Sequence, residues 1–205
     1  MLNPGRIRSL LIATILVACS CHRTHEVTVR SGDIVFQTSQ SAQSLAIQTA
    51  THSPYSHMGL VLIRDGEPFV LEAASQVELT PFSTWIASGK GGRYIVKRLR
   101  NSSLLADPDK LSSLEHAALS FMGKPYDPYF EWSDERIYCS ELVWKAFDQG
   151  LDVQVGTLVP LSSFDLDSEV VKAKLAERYG AKVPMSEQVI SPAAMFDSPL
   201  LETAK

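Results

Sequence analysis

Three side chains of this sequence could together carry out covalent catalysis on a carbonyl group: His57, Glu72 and Cys139. A thiolate is a nucleophile, an imidazole moves protons near neutral pH, and a carboxylate can hold that imidazole in a working orientation. Two of the three can be placed relative to one another from the sequence. Apolar runs at 58–63 and 69–73 flank Arg64-Asp65-Gly66-Glu67, and an Asp-Gly pair between such runs signals a β-hairpin. Ile63 then opposes Pro68, His57 faces Ala74 and Glu72 faces Gly59. Opposed and diagonal positions share a face of the sheet, roughly 7 to 8 Å apart along the diagonal. His57 and Glu72 are therefore diagonal neighbours, on a face that also carries Val61, Ile63, Val70 and Ala74.

Cys139 stands where a helix is expected to open, with Leu142, Val143, Ala146 and Phe147 turned inward and Gly150 ending it. The first turn of a helix favours thiolate over thiol. Taken alone, a single cysteine ahead of an apolar helix is more often a small buried hydrophobe than a catalytic residue.

The elements around these residues read as one domain from about residue 31 to 205, without repeats or interior linkers. The chain has 205 residues, 45% hydrophobic and 20% charged, which excludes a disordered or polytopic membrane protein. A short strand is expected at 33–37 and a helix at 39–51 from Ala42, Leu45, Ala46 and Thr49. After the hairpin come a strand at 93–99 and helices at 108–122, from Cys139, at 169–179 and at 192–196. The fold class is α+β, a small and mostly antiparallel sheet with helices packed on it.

Ahead of this domain lies an export signal. Arg6 and Arg8 precede nine uncharged residues, 10–18, too few to span a bilayer and suited to a secretory signal. Leu16-Val17-Ala18-Cys19 resembles a bacterial lipobox, which implies lipidation at Cys19 after removal of 1–18, and Ser20 leans toward the outer membrane. Residues 19–30 form a polar tether, and the domain faces the periplasm from the cell envelope. Loss of 1–18 removes two of the 19 basic residues and none of the 23 acidic ones, moving the net charge from −4 to −6. No nucleic acid partner is expected, and any membrane attachment rests on acyl chains.

The segments Gly32-Asp33-Ile34, Ser56-His57-Met58-Gly59, Leu71-Glu72-Ala73, Gly123-Lys124-Pro125-Tyr126-Asp127 and Tyr138-Cys139-Ser140-Glu141 resemble the motif set of the YiiX/YebB-like hydrolases. These are the circularly permuted branch of the NlpC-type papain-like amidases. The likeness runs from about residue 31 to 196. It implies a permuted papain-like fold, with Cys139 as nucleophile, His57 as general base and acid, and Glu72 orienting His57. It also places Tyr138 and Tyr126 at the cleft, Tyr138 for substrate binding or the oxyanion. The unpermuted relatives' Asp-Cys-Ser-Gly is replaced here by Tyr-Cys-Ser-Glu, so their substrates do not carry over. Asp33 and Asp127 also read as turn or cap residues.

The expected activity is a thiol amidase or peptidase acting on a cell-wall peptide, a small peptide, an amino-acid amide or an acylated amino acid. Acyl transfer or lipid-ester hydrolysis by the same triad, and a non-catalytic binding module, are the alternatives. No cofactor is implied. Metal is expected to play no part, because His22, His25, His52, His57 and His116 are scattered and zinc takes three or four convergent ligands. A disulfide between Cys21 and Cys139 is open from sequence.

Overall fold

The structure is a computed structural model that describes residues 27–205. The signal segment, Cys19 and most of the tether lie outside the described residues. In chain order the elements are β1 (Ile34–Ser39), α1 (Ser44–Thr51), β2 (His57–Arg64), β3 (Glu67–Ala73), β4 (Val77–Pro81), α2 (Phe82–Ser88), β5 (Gly89–Leu99), α3 (Ser102–Ala106) and α4 (Pro108–Leu119). Then follow α5 (Cys139–Leu151), β6 (Val159–Pro160), α6 (Glu169–Tyr179), β7 (Gln188–Val189), α7 (Pro192–Phe196) and β8 (Leu201–Thr203). The main sheet has the order β4-β3-β2-β1-β5-β8 with every pairing antiparallel, and β6 and β7 form a separate ribbon.

The β2–β3 hairpin has the register read from the sequence: Ile63 pairs with Pro68 and Leu60 with Leu71. Its turn is set by Asp65 and Gly66, both at positive φ (52° and 84°), the conformation of a type I′ turn. Alternation along β2 then divides the molecule. Met58, Leu60 and Leu62 face the main core, where α4 and α5 pack with Leu114, Leu142 and Phe147. Val61 faces a smaller core with Val35, Val70, Val96 and Trp85.

That second core rests on two elements absent from the sequence reading, β4 and α2. Phe82, Trp85 and Ile86 of α2 have helical spacing and cover the back of the sheet, Trp85 being fully buried. Three expected features differ in detail. Helix α1 starts at Ser44 rather than at 39, and its Leu45 is exposed. Helix α5 runs through Gly150 to Leu151, and Asp152, at a φ of 55°, provides the left-handed cap. A Cβ on Gly150 would lie 2.7 Å from the Leu114 Cα, so this glycine admits the close approach of α4 and does not stop the helix.

Candidate active site

His57 is the first residue of β2, and Glu72 sits near the end of β3. His57 Nε2 lies 2.5 Å from Glu72 Oε2, with side chains only 14% and 8% exposed. Thr80 Oγ1, from β4, donates to Glu72 Oε1 at 2.6 Å. The Trp85 indole N–H points toward the same carboxylate and helps keep it ionised, without completing a hydrogen bond of good geometry. Neither Thr80 nor Trp85 was singled out from sequence. The signal for Thr80 was its place two residues off the position opposite Glu72, which needs β4 to be recognised first.

By alternation the His57–Glu72 pair belongs to the face opposite α5. Because His57 is the terminal residue of its strand, at the rim of the sheet, its ring can serve both sides, and Cys139 is near enough to help hold a proton on it. With Nε2 taken by Glu72, Nδ1 is the atom left for the sulfur. Behind the ring, Ser56 fixes the strand entry: its hydroxyl accepts from Ser39 N–H at 2.9 Å and lies 2.6 Å from Ser44 Oγ.

Cys139 is the first residue of α5 and buried. Tyr138 N–H donates to Glu141 Oε2 at 3.3 Å, as the third residue of a capping box does. Glu141 in turn lies 2.8 Å from Lys145 Nζ, which also bonds Asp134 at 2.8 Å. Burial outweighs these partners and pushes the Glu141 carboxyl up to about 7.

The electrostatics of the pair follow from burial and neighbours. Burial opposes a charge on His57, but the hydrogen bonds and charges of Cys139 and Glu72 overcome it and push the imidazole up to about 10. For Glu72, burial opposes ionisation and is outweighed by His57 and Thr80, so the carboxyl is held below its ordinary value. The site thus favours an imidazolium between a carboxylate and the sulfur.

The two expected tyrosines are placed differently. The Tyr138 hydroxyl is buried and accepts from Ile190 N–H at 3.2 Å, while its ring meets Phe130 edge-on. Tyr126 is bridged to Ile137, just ahead of Cys139, and its hydroxyl accepts from Gln43 Nε2 at 2.6 Å. Burial, then the charge of Cys139, oppose its ionisation, so it keeps its proton. Gln43 was not foreseen; its carbonyl also accepts from Arg178, whose guanidinium lies over Phe130. Asp127 orders the loop between these residues by accepting from Tyr129 and Glu131 N–H at 2.8 and 2.6 Å. Asp33 does more than turn the chain, since Arg98 donates to both its carboxylate oxygens at 2.7 Å.

A cysteine at a helix start, a histidine at a strand start and a carboxylate on the adjacent strand, in the order His, Glu, Cys, make a papain-like arrangement with its segments permuted. The description of the permuted papain-like amidases of the C92 family (YaeF/YiiX) matches residues 28–204. The chain belongs to this family. It is 46% identical over 194 residues to the uncharacterised protein YiiX of Escherichia coli strain K12, covering 95% of this chain and 93% of that one. A crystal structure of YiiX from Escherichia coli O157:H7 superposes with a TM-score of 0.82 at 46% identity, covering 86% of this chain and 96% of that one. The α+β, permuted papain-like fold read from the sequence is thereby shown.

The same relative corrects one expectation. YiiX of O157:H7 is described as a metalloprotein, which overturns the reading that metal plays no part. That reading sought three or four scattered histidines converging, although a thiolate beside an imidazole is itself a pair of donors that soft divalent ions take. Among the described residues no three of His, Cys, Asp and Glu gather into a site that would hold an ion. His57 is moreover engaged by Glu72 through one of its two nitrogens. These donors fall short of a complete resident centre, and the chemistry below uses the chain's own side chains. Cys21, His22 and His25 lie outside the described residues.

Proposed function

We propose that this protein is a cysteine amidase or peptidase in which Cys139, His57 and Glu72 act as nucleophile, acid–base and orienting residue. The observation that carries the reading is the buried His57 ring, paired with Glu72 at the start of β2 and near enough to Cys139 for the sulfur to help hold its proton. The Cys139 sulfur attacks an amide carbonyl carbon. The resulting oxyanion meets the backbone N–H of Cys139, which has no partner within the helix, and the protonated hydroxyl of Tyr126. With the Tyr138 hydroxyl occupied at Ile190, Tyr126 is the better placed of the two tyrosines for that role.

As the C–N bond breaks, His57 gives its proton to the leaving nitrogen. Acylation also removes the sulfur's negative charge, one of the two influences that held the proton on the ring. The neutral imidazole can then take a proton from water, which attacks the thioester; the C–S bond breaks, the acid departs and the ion pair is restored. Export and lipid attachment at Cys19, with the domain facing the periplasm, complete the proposal, and rest on the charge and apolar pattern of residues 1–20.

An electrophilic thiol probe tests the assignment by intact-mass analysis. One adduct should form rapidly on the natural chain and slowly on His57→Ala, and Cys139→Ser should lose the rapid adduct, leaving only the slow reaction of an ordinary thiol at Cys19 or Cys21. Labelling of Cys139 no faster than that of a free thiol, indifferent to His57, would reduce the protein to a binding module.

A further inference from the structure

Tyr126 carries one hydroxyl proton, and its neighbours restrict where that proton can point. Gln43 Nε2 donates to the Tyr126 oxygen at 2.6 Å. On the other side of the same amide, the Gln43 carbonyl accepts from Arg178. A guanidinium offers only donors, so the amide cannot turn over without setting N–H against N–H, and its nitrogen must face the tyrosine. The phenol is thus an acceptor toward Gln43, and its own O–H is left for another partner. Among the described residues no acceptor takes it. Both neighbours are held in place. Gln43 stands at the start of α1, its backbone carbonyl accepting from Ile47 N–H at 3.1 Å. Arg178 lies in the last turn of α6, where a cation suits the helix dipole, with its guanidinium 4.8 Å from the centre of the Phe130 ring. Gln43, Tyr126 and Arg178 line both the cavity that includes Cys139 and the one that includes His57, so the hydroxyl stands where a carbonyl between sulfur and imidazole would lie.

We infer that Gln43 and Arg178 are positioning residues for the reaction: together they hold Tyr126 so that its hydroxyl donates to the oxyanion formed when Cys139 attacks. This rests on the proposed role of Tyr126. Arg178 fixes the direction of the Gln43 amide, the amide fixes the direction of the phenolic proton, and neither residue touches the substrate. The same two neighbours also strengthen the donor. Burial and the charge of Cys139 keep the phenol protonated, while the Gln43 hydrogen bond and the Arg178 charge pull the other way. A hydroxyl that keeps its proton and accepts a hydrogen bond at its oxygen is polarised toward giving one.

Two reagents separate the oxyanion from the sulfur. Acylation of Cys139 by p-nitrophenyl acetate forms the C–S bond through an oxyanion and releases nitrophenolate without a proton from His57. Alkylation by iodoacetamide displaces iodide and forms no oxyanion. The ratio of the two rates is therefore blind to thiol reactivity and to the fraction of protein folded. Tyr126→Phe should lower it about a hundredfold. Gln43→Ala should lower it about three- to tenfold, the worth of one neutral hydrogen bond. Gln43→Glu should lower it further, toward the Tyr126→Phe value, because a carboxylate held by Arg178 can only accept and so draws the phenolic proton away from the oxyanion. Arg178→Met frees the amide to turn and should resemble Gln43→Ala, while Arg178→Lys keeps a donor and should regain most of the loss. In the Tyr126→Phe background neither change at Gln43 should have any further effect. A ratio that Gln43→Glu leaves unchanged, or losses that add to that of Tyr126→Phe, overturn the inference and leave the amidase reading intact. Failure of the natural chain to form any acyl-enzyme at Cys139 removes the hydrolase reading itself, and the inference with it.

Discussion

His57 is held at Nε2 by Glu72 and feels Cys139 as well, so its proton depends on both neighbours. Removing the charge of one of them separates orientation from electrostatics. Glu72→Gln keeps an acceptor for the ring and for Thr80 but deletes the carboxylate, so the imidazole should titrate well below about 10, the value it is pushed to in the natural chain. Turnover should fall by about ten- to a hundredfold, less than the near-complete loss expected for Cys139→Ala or His57→Ala. An NMR titration of the His57 ring alongside the pH–rate profile checks this. An unmoved ring titration would mean that the carboxylate does not support the charge. Thr80→Val tests the next contact: it leaves one oxygen of a buried carboxylate unbonded, and should cost several-fold in rate with a smaller shift of the ring.

At the scale of the elements, the site depends on how closely β2 and β3 approach at Gly59. A Cβ there would come within 2.3 Å of Val70 Cγ1 and 2.8 Å of the Leu71 carbonyl oxygen. Gly59→Ala should therefore destabilise the fold by about 1 to 3 kcal/mol and displace Glu72 from His57. Thermal unfolding and thiol-labelling rate should fall together; a lowered Tm with unchanged labelling would mean that the strain is absorbed away from the pair. The hairpin was legible because Asp65-Gly66 fixes its register and the period of two then fixes which side chains share a face. The contact with Cys139 was not, since it depends on His57 standing at a strand end and on α5 packing against the other face, which pairing arithmetic does not reach. Strand β4 escaped notice because Val77–Pro81 is short and ends in proline, although Phe82, Trp85 and Ile86 carry helical spacing right after it. The loop from Tyr126 to Ile137 has no periodicity, and its path is set by backbone N–H groups converging on the Asp127 carboxylate.

Across the whole molecule, the buried charges link folding to pH, with a sign that can be worked out for each. Glu72 is held below its ordinary value, so its contribution is present above the unfolded carboxylate range and is lost as pH falls. Glu141 is raised from 4.5 to about 7, so the folded chain holds that proton more tightly and loses stability as pH rises through about 7. His57 is raised from 6.5 to about 10; its contribution is complete below the unfolded value and is lost as pH rises through about 10. The last of these discriminates most clearly, because the imidazolium is also what the proposed chemistry requires. Denaturant unfolding of the natural chain and of His57→Gln, compared from pH 6 to 10.5, should show a stability gap that is widest at pH 6 and narrows toward pH 10. Adding Cys139→Ala to the natural chain should move that narrowing to lower pH, since the sulfur is one of the two groups holding the proton. A gap that stays constant with pH would show a neutral ring in the folded protein, and the proton donor for the leaving group would then have to be sought elsewhere.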